Sequence, residues 1–155
     1  MKNRDVLKLF IADDSIPVQS ALANEIAKMR HILLAGQAFD VPQAILRIQE
    51  SGAEIVILDM NMPGGSGLDV LKSLSQRNAG PVCIVFAFHL TDIVKDCCMR
   101  LGARACLRKP EDVDVLISAL TAIRRDDLDA LRAGTLSFQK LGGVTTGAPE
   151  TPMDP

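Results

Sequence analysis

No apolar run in this chain approaches the ~20 residues that a membrane-crossing helix needs. The longest runs, such as VCIVFAF from Val82 to Phe88, fall far short. Met1 to Asp5 is not followed by the apolar core of a signal peptide, so a cytoplasmic chain without membrane contact is the expectation. Charge of one sign is also missing: 17 basic against 19 acidic residues leave a formal charge of −2. Bulk electrostatics therefore point to neither nucleic acid nor an acidic membrane as a partner. Tyrosine and tryptophan are absent altogether. Cysteine occurs four times, at Cys83, Cys97, Cys98 and Cys106, but never as CxxC and never with a histidine at zinc-like spacing. That speaks against a disulfide framework or a zinc site and for buried free thiols. The neighbours Cys97 and Cys98 are strained partners, because adjacent helical positions point about 100° apart.

What is present is a core. With 48% of its 155 residues hydrophobic and 23% charged, the chain can build one compact domain with a substantial interior. A short apolar run, KLFIA (8–12), precedes Ser15 and Pro17, which open a helical pattern through Val18, Leu22, Ile26 and Met29. The unit recurs as ILLAGQA (32–38) with PQAILRIQES (42–51), EIVIL (54–58) with LDVLKSLSQR (68–77), and VCIVFAF (82–88) with TDIVKDCCMRL (91–101). A fifth strand, ACLR (105–108), leads to a helix through Val113, Leu116, Ile117, Leu120 and Ile123. Nearly unbroken apolar strands between helices predict a doubly wound α/β sandwich: a five-stranded parallel sheet in the flavodoxin-like order 2-1-3-4-5, with helices on both faces. This domain is expected over residues 1–125. Asp126, Asp127 and Asp129 are read as prolonging the last helix to Arg132, so that 126–141 is a helix extension or a docking segment through Phe138 and Leu141. The Gly- and Pro-rich residues 142–155 are expected to be a disordered tail. His31 is expected to cap the first helix at its carboxyl end.

Ligands of open parallel sheets bind beyond the carboxyl ends of the strands, where strand order reverses. Asp13 and Asp14 follow the first strand and Asp59 the third, and these strands are neighbours in the expected order; Lys109, with Pro110 behind it, follows the fifth. Two like charges at about 4 Å repel by ~4 kcal/mol at an effective dielectric of about 20, so the three acids call for a cation. An all-oxygen donor set with open positions suits Mg²⁺ better than zinc or copper, and Mg²⁺ so held takes phosphate oxygens as further ligands.

These residues resemble a known family. DD after the first strand, LDMNMPGGSGLDV from Leu58 to Val70, and KP at 109–110 are similar to the response-regulator receiver (CheY-like) domain of two-component signal transduction, over roughly residues 7 to 125. The resemblance implies that Asp59 accepts a phosphoryl group from a histidine kinase or phosphotransfer protein. It also implies that Asp14 and Asp59 bind Mg²⁺ with the backbone carbonyl of Asn61, that Asp13 acts mainly through water, and that Lys109 pairs with the phosphoryl oxygens. An aspartate is a competent nucleophile toward phosphorus when a divalent ion screens its charge and a lysine meets the charge on the transferred oxygens.

The sequence departs from the family at two switch positions. Receivers usually carry Thr or Ser at the end of the fourth strand and an aromatic residue in the fifth; here those positions fall on Ala87, or Phe86 in the alternative alignment, and on Cys106. Intact phosphorylation with an atypical switch is the expectation. His89, two residues after Ala87, is a candidate neighbour of the phosphoryl site, weighed evenly against a solvent-exposed loop histidine. The leading reading is a single-domain response regulator that signals through a downstream protein partner, with a homodimer as a further option, turning over no separate substrate. The runner-up is a pseudo-receiver that docks or dimerises whatever its phosphorylation. A Mg²⁺-dependent phosphohydrolase is disfavoured because Asn61 stands where an acid would protonate the leaving group. Direct DNA binding is disfavoured because no helix-turn-helix fits into the residues outside the βα units.

Overall fold

The computed structural model describes residues 5–76 and 79–143. Five strands make one parallel sheet: β1 (Leu7–Ala12), β2 (Ile32–Ala38), β3 (Ile55–Leu58), β6 (Val82–Ala87) and β7 (Ala105–Arg108), in the order β2-β1-β3-β6-β7. Between β3 and the following helix, β4 (Asn61–Met62) and β5 (Gly65–Ser66) form a small antiparallel hairpin. With the hairpin set aside, the order is the expected 2-1-3-4-5. The helices are α1 (Ile16–Ala27), α2 (Val41–Ser51), α3 (Gly67–Ser75), α4 (Asp92–Arg100), α5 (Val113–Ala122) and α6 (Arg125–Ala133), followed by a 3₁₀ turn at Phe138–Lys140.

The strands lack apolar/polar alternation because both sheet faces are covered. Leu7, Leu9, Ile11, Ile57, Ile84 and Leu107 enter the layer shared with α1 and α5. Phe10, Val56, Leu58, Val85 and Cys106 enter the layer shared with α2, α3 and α4. Helix starts follow local chemistry. Ser15, Asp40, Ser66 and Thr91 each accept a backbone N–H of the first turn of α1, α2, α3 and α4, a cap that contributes about 1 kcal/mol. Capping fixes where each helix begins, and so fixes the loops at the carboxyl edge of the sheet.

Two expectations about the periphery are corrected. The last helix is not prolonged: Ile123 leaves α5 in an extended conformation (φ −63°, ψ 140°), and α6 starts anew at Arg125. Leu128, Leu131 and Phe138, each at most 1% exposed, belong to the same apolar layer as α5. Arg125 fastens α6 to the sheet through Glu54, at 2.5 and 3.2 Å, and the Val6 carbonyl, at 3.1 Å. Burial pushes the Glu54 carboxyl up, but the Arg125 hydrogen bond, the Lys8 amide and the positive charges of Arg125 and Arg132 outweigh it and hold the group below its ordinary 4.5. His31 does not cap α1, which closes through the Lys28 N–H on the Glu25 and Ile26 carbonyls. Its Nε2 lies 2.9 Å from the Leu120 carbonyl near the end of α5. The disorder expected from about residue 142 lies, from 144 onward, outside the described residues.

Candidate functional site

Because β1 and β3 are paired in register, with Ala12 beside Leu58, the residues that follow them leave the sheet side by side. One carboxylate oxygen from each of Asp13, Asp14 and Asp59 lies within 4.8 Å of the others. Lys109 enters from the far side, where its amide continues the ladder by donating to the Ala87 carbonyl at 3.0 Å. Its ammonium bonds the Asp13 carboxylate and lies 3.5 Å from Asp59 Oδ2. Asp13, Asp59 and Lys109 are 2%, 6% and 4% exposed, whereas Asp14 is at the surface. Asp13, expected to act mainly through water, is thus the closer partner of Lys109. The aromatic rings of Phe86 and Phe88, with centroids 5.6 and 5.3 Å from the ammonium, flank it, so that ring faces as well as carboxylates hold the cation in place.

Two carboxylates, Asp13 and Asp59, share one ammonium, and Asp14 stands beside them. Burial pushes the Asp59 carboxyl above its ordinary 3.8; the Lys109 charge opposes this, and the Asp13 charge adds to it. The edge therefore carries more negative charge than its own cation balances, and its donors are all hard oxygens. Such a set fits a hard divalent ion.

Backbone geometry sharpens the pocket. Gly64 and Gly65 turn the hairpin at φ +86° and +150°. At Gly67 the reason for glycine is proximity: a Cβ there would stand 2.5 Å from the Asp59 carbonyl oxygen and 2.3 Å from Met60 Cε. The first turn of α3 can press on the Asp59 backbone only because position 67 has no side chain. The Asn61 N–H reaches Asp59 Oδ1 at 3.4 Å.

One positioning residue was not singled out from sequence. Gln19, 2% exposed in α1, directs Nε2 at the carbonyls of Ile11, Asp13 and Ala38, at 3.1, 3.2 and 3.0 Å. Its Oε1 accepts from Gln37 Nε2 at 2.9 Å. It ties the ends of β1 and β2 to the acidic loop. Its sequence signal was a polar residue one position after Val18, on the first turn of a helix directly behind DD. The switch positions lie deeper: Ala87 and Cys106 are buried in the α2–α4 layer, while Phe86 faces the α1/α5 layer. His89 is exposed in the segment after β6.

The response regulator receiver domain family matches residues 9–121. The chain belongs to that family. As a receiver it is 39% identical over 95 residues to the sensory transduction protein RegX3 of Mycolicibacterium smegmatis, an alignment covering 61% of this chain and 41% of the relative. The chain spans half or less of the length of the first curated relatives it matches. Among solved structures, the signal receiver domain of the putative response regulator NarL from Mycobacterium tuberculosis superposes with a TM-score of 0.71 at 17% identity, covering 81% of this chain and 98% of that one. The chain matched in the CheX-CheY-BeF3-Mg+2 complex from Borrelia burgdorferi gives 0.64 at 19% identity, covering 75% and 93%. At these identities the likeness is one of fold. No helix among the described residues is long and apolar enough to cross a membrane.

Proposed function

We propose that this receiver accepts a phosphoryl group on Asp59 from a histidine kinase or phosphotransfer protein in a Mg²⁺-dependent reaction, and that it signals by binding a protein partner. The observation that carries the reading is the meeting of Asp13, Asp14 and Asp59 within 4.8 Å, with Lys109 3.5 Å from the Asp59 carboxylate. Asp14, Asp59 and the Asn61 carbonyl, with Asp13 behind them, are the residues that would hold the ion. When bound, Mg²⁺ supplies charge neutralisation for the acceptor and for the transferred oxygens.

The remaining chemistry belongs to the chain. An Asp59 carboxylate oxygen forms the bond to phosphorus as the bond from phosphorus to the donor nitrogen breaks. The donor imidazole leaves with the electron pair of that bond. Lys109, released from part of its Asp13 contact, meets the negative charge on the phosphoryl oxygens. The hairpin and Gly67 hold the Asp59 backbone so that little reorganisation accompanies transfer.

The switch is the atypical part of the proposal. Ala87 offers no hydroxyl to a phosphoryl oxygen, and a hydrogen bond to a charged group contributes ~1.5–3 kcal/mol. A bias of roughly ten- to hundredfold toward an active conformation is therefore lacking. Incubation of the full chain with acetyl phosphate and Mg²⁺, read by intact mass, tests the reading. A labile phosphoryl adduct that disappears in Asp59→Asn and without Mg²⁺ is expected. Absence of the adduct on a folded chain overturns it and favours a phosphorylation-independent docking module.

A further inference from the structure

The amino edge of β6 and β7, a strand's length from Asp59, holds a cavity of about 390 Å³ that shares no residue with the acidic site. Leu71 and Leu74 of α3, with Leu101 behind α4, give it aliphatic walls, and Arg100, Arg104 and Arg132 bring three guanidinium groups to it. No carboxylate is among the described residues that line it. Two other cavities differ in this respect: one includes Glu54 beside Lys8, Arg30 and Arg125, and the other includes Glu25 and Asp114 beside Lys28.

Backbone carbonyls, more than acids, place these guanidinium groups. Arg104 stands immediately before β7, where its N–H donates to the Cys83 carbonyl at 2.8 Å, and its Nη2 donates to the Arg132 carbonyl at 2.6 Å. Arg132 in turn donates from Nε to the Gly80 carbonyl at 3.2 Å. Carbonyl partners fix direction without cancelling charge. Among the described residues the one carboxylate engaged is Asp129, 3.2 Å from Arg132 Nη1, and its side chain is 88% exposed, so water and salt screen the pair. Burial pushes the Cys83 thiol at the cavity floor up to about 12, and the Arg104 charge opposes this, which puts that cation close to the floor. The exposed Arg100 side chain engages no other described residue.

We propose that this cavity binds a small oxyanion carried on an aliphatic body, of the kind a medium-chain carboxylate or an alkyl phosphate presents. Guanidinium forks match the paired oxygens of either headgroup, and apolar walls of low dielectric strengthen their field. The volume falls within the range of small-molecule sites, roughly 300–1,000 Å³. The aliphatic part of the ligand leaves water against Leu71, Leu74 and Leu101 while its charge stays with the three arginines. Binding here does not require phosphorylation of Asp59, since the two sites lie at opposite ends of the strands.

The experiment titrates the full chain with hexyl phosphate and with hexanoate and follows the leucine methyl groups by NMR, in chelator so that the acidic edge holds no metal. Saturable shifts at Leu71, Leu74 and Leu101 are expected, and the tighter of the two probes names the headgroup. Hexanol and inorganic phosphate, each lacking one half of the ligand, are expected to bind about tenfold or more weaker. Arg100→Glu, at an exposed position with no described partner to lose, is expected to keep the wild-type urea midpoint and to raise the dissociation constant about tenfold or more. Arg104→Gln, which removes a fork, is expected to weaken binding in the same way. The absence of saturable shifts with both charged probes, hexanol binding as tightly as either of them, shifts centred on Lys109, or an Arg100→Glu affinity equal to wild type overturns the proposal.

Discussion

Asp59 shows how one side chain carries the tension of the site. Below the ordinary carboxylate range both the folded and the unfolded chain hold its proton. As pH rises past 3.8 the unfolded chain releases the proton first, so the metal-free fold loses stability until its own raised pKa is passed. Asp59→Asn is therefore expected to unfold at higher urea concentration than wild type at pH 7 in chelator, with the difference vanishing near pH 3; equal midpoints at pH 7 would contradict this. Gln19 is the opposite case, a polar group made indispensable by three carbonyls. Gln19→Leu strips a buried donor from the carbonyls of Ile11, Asp13 and Ala38, of which Ala38 keeps the Asp13 N–H, at a cost of about 1–3 kcal/mol, measurable by urea denaturation. The acids and Lys109 were legible because DD, D and K each end a strand in a known register. Gln19 was not, because a lone polar residue on a helix reads the same whether it faces water or a buried carbonyl.

At the scale of elements, the five strands and their helices were readable from period alone, since near-continuous apolar runs occur where a strand is covered on both faces. The elements after residue 123 were not. Within α6 the acids Asp126, Asp127 and Asp129 dominate the pattern, and only Leu128 and Leu131 are buried, too few to reveal a separate helix. Phe138, in a short stretch with glycine on either side, gave no periodicity at all, yet its ring is fully enclosed. Phe138→Ala removes that ring from the α5 layer and is expected to destabilise the domain by about 3–5 kcal/mol. A loss below 1 kcal/mol in chemical denaturation would mean that the turn is only resting on the surface.

For the molecule as a whole, the carboxyl edge of the sheet concentrates negative charge while the opposite edge is closed by Arg125, Glu54 and the first residues of β1. A ligand that binds only the folded state stabilises it by an amount that grows with the logarithm of its concentration above the dissociation constant, so Mg²⁺ at a hundred times that constant is expected to add about 2.7 kcal/mol. The thermal midpoint should rise with Mg²⁺ in wild type and stay flat in Asp14→Asn; a parallel rise in both would place the ion elsewhere.

The phenyl plug at position 138 also bears on how such modules are exchanged between proteins. A chimaera that joined a new partner sequence at residue 125, where the five βα repeats finish, would leave an open hole against α5. A junction placed after residue 143 would carry the plug along, and with it the ability of the graft to stand by itself.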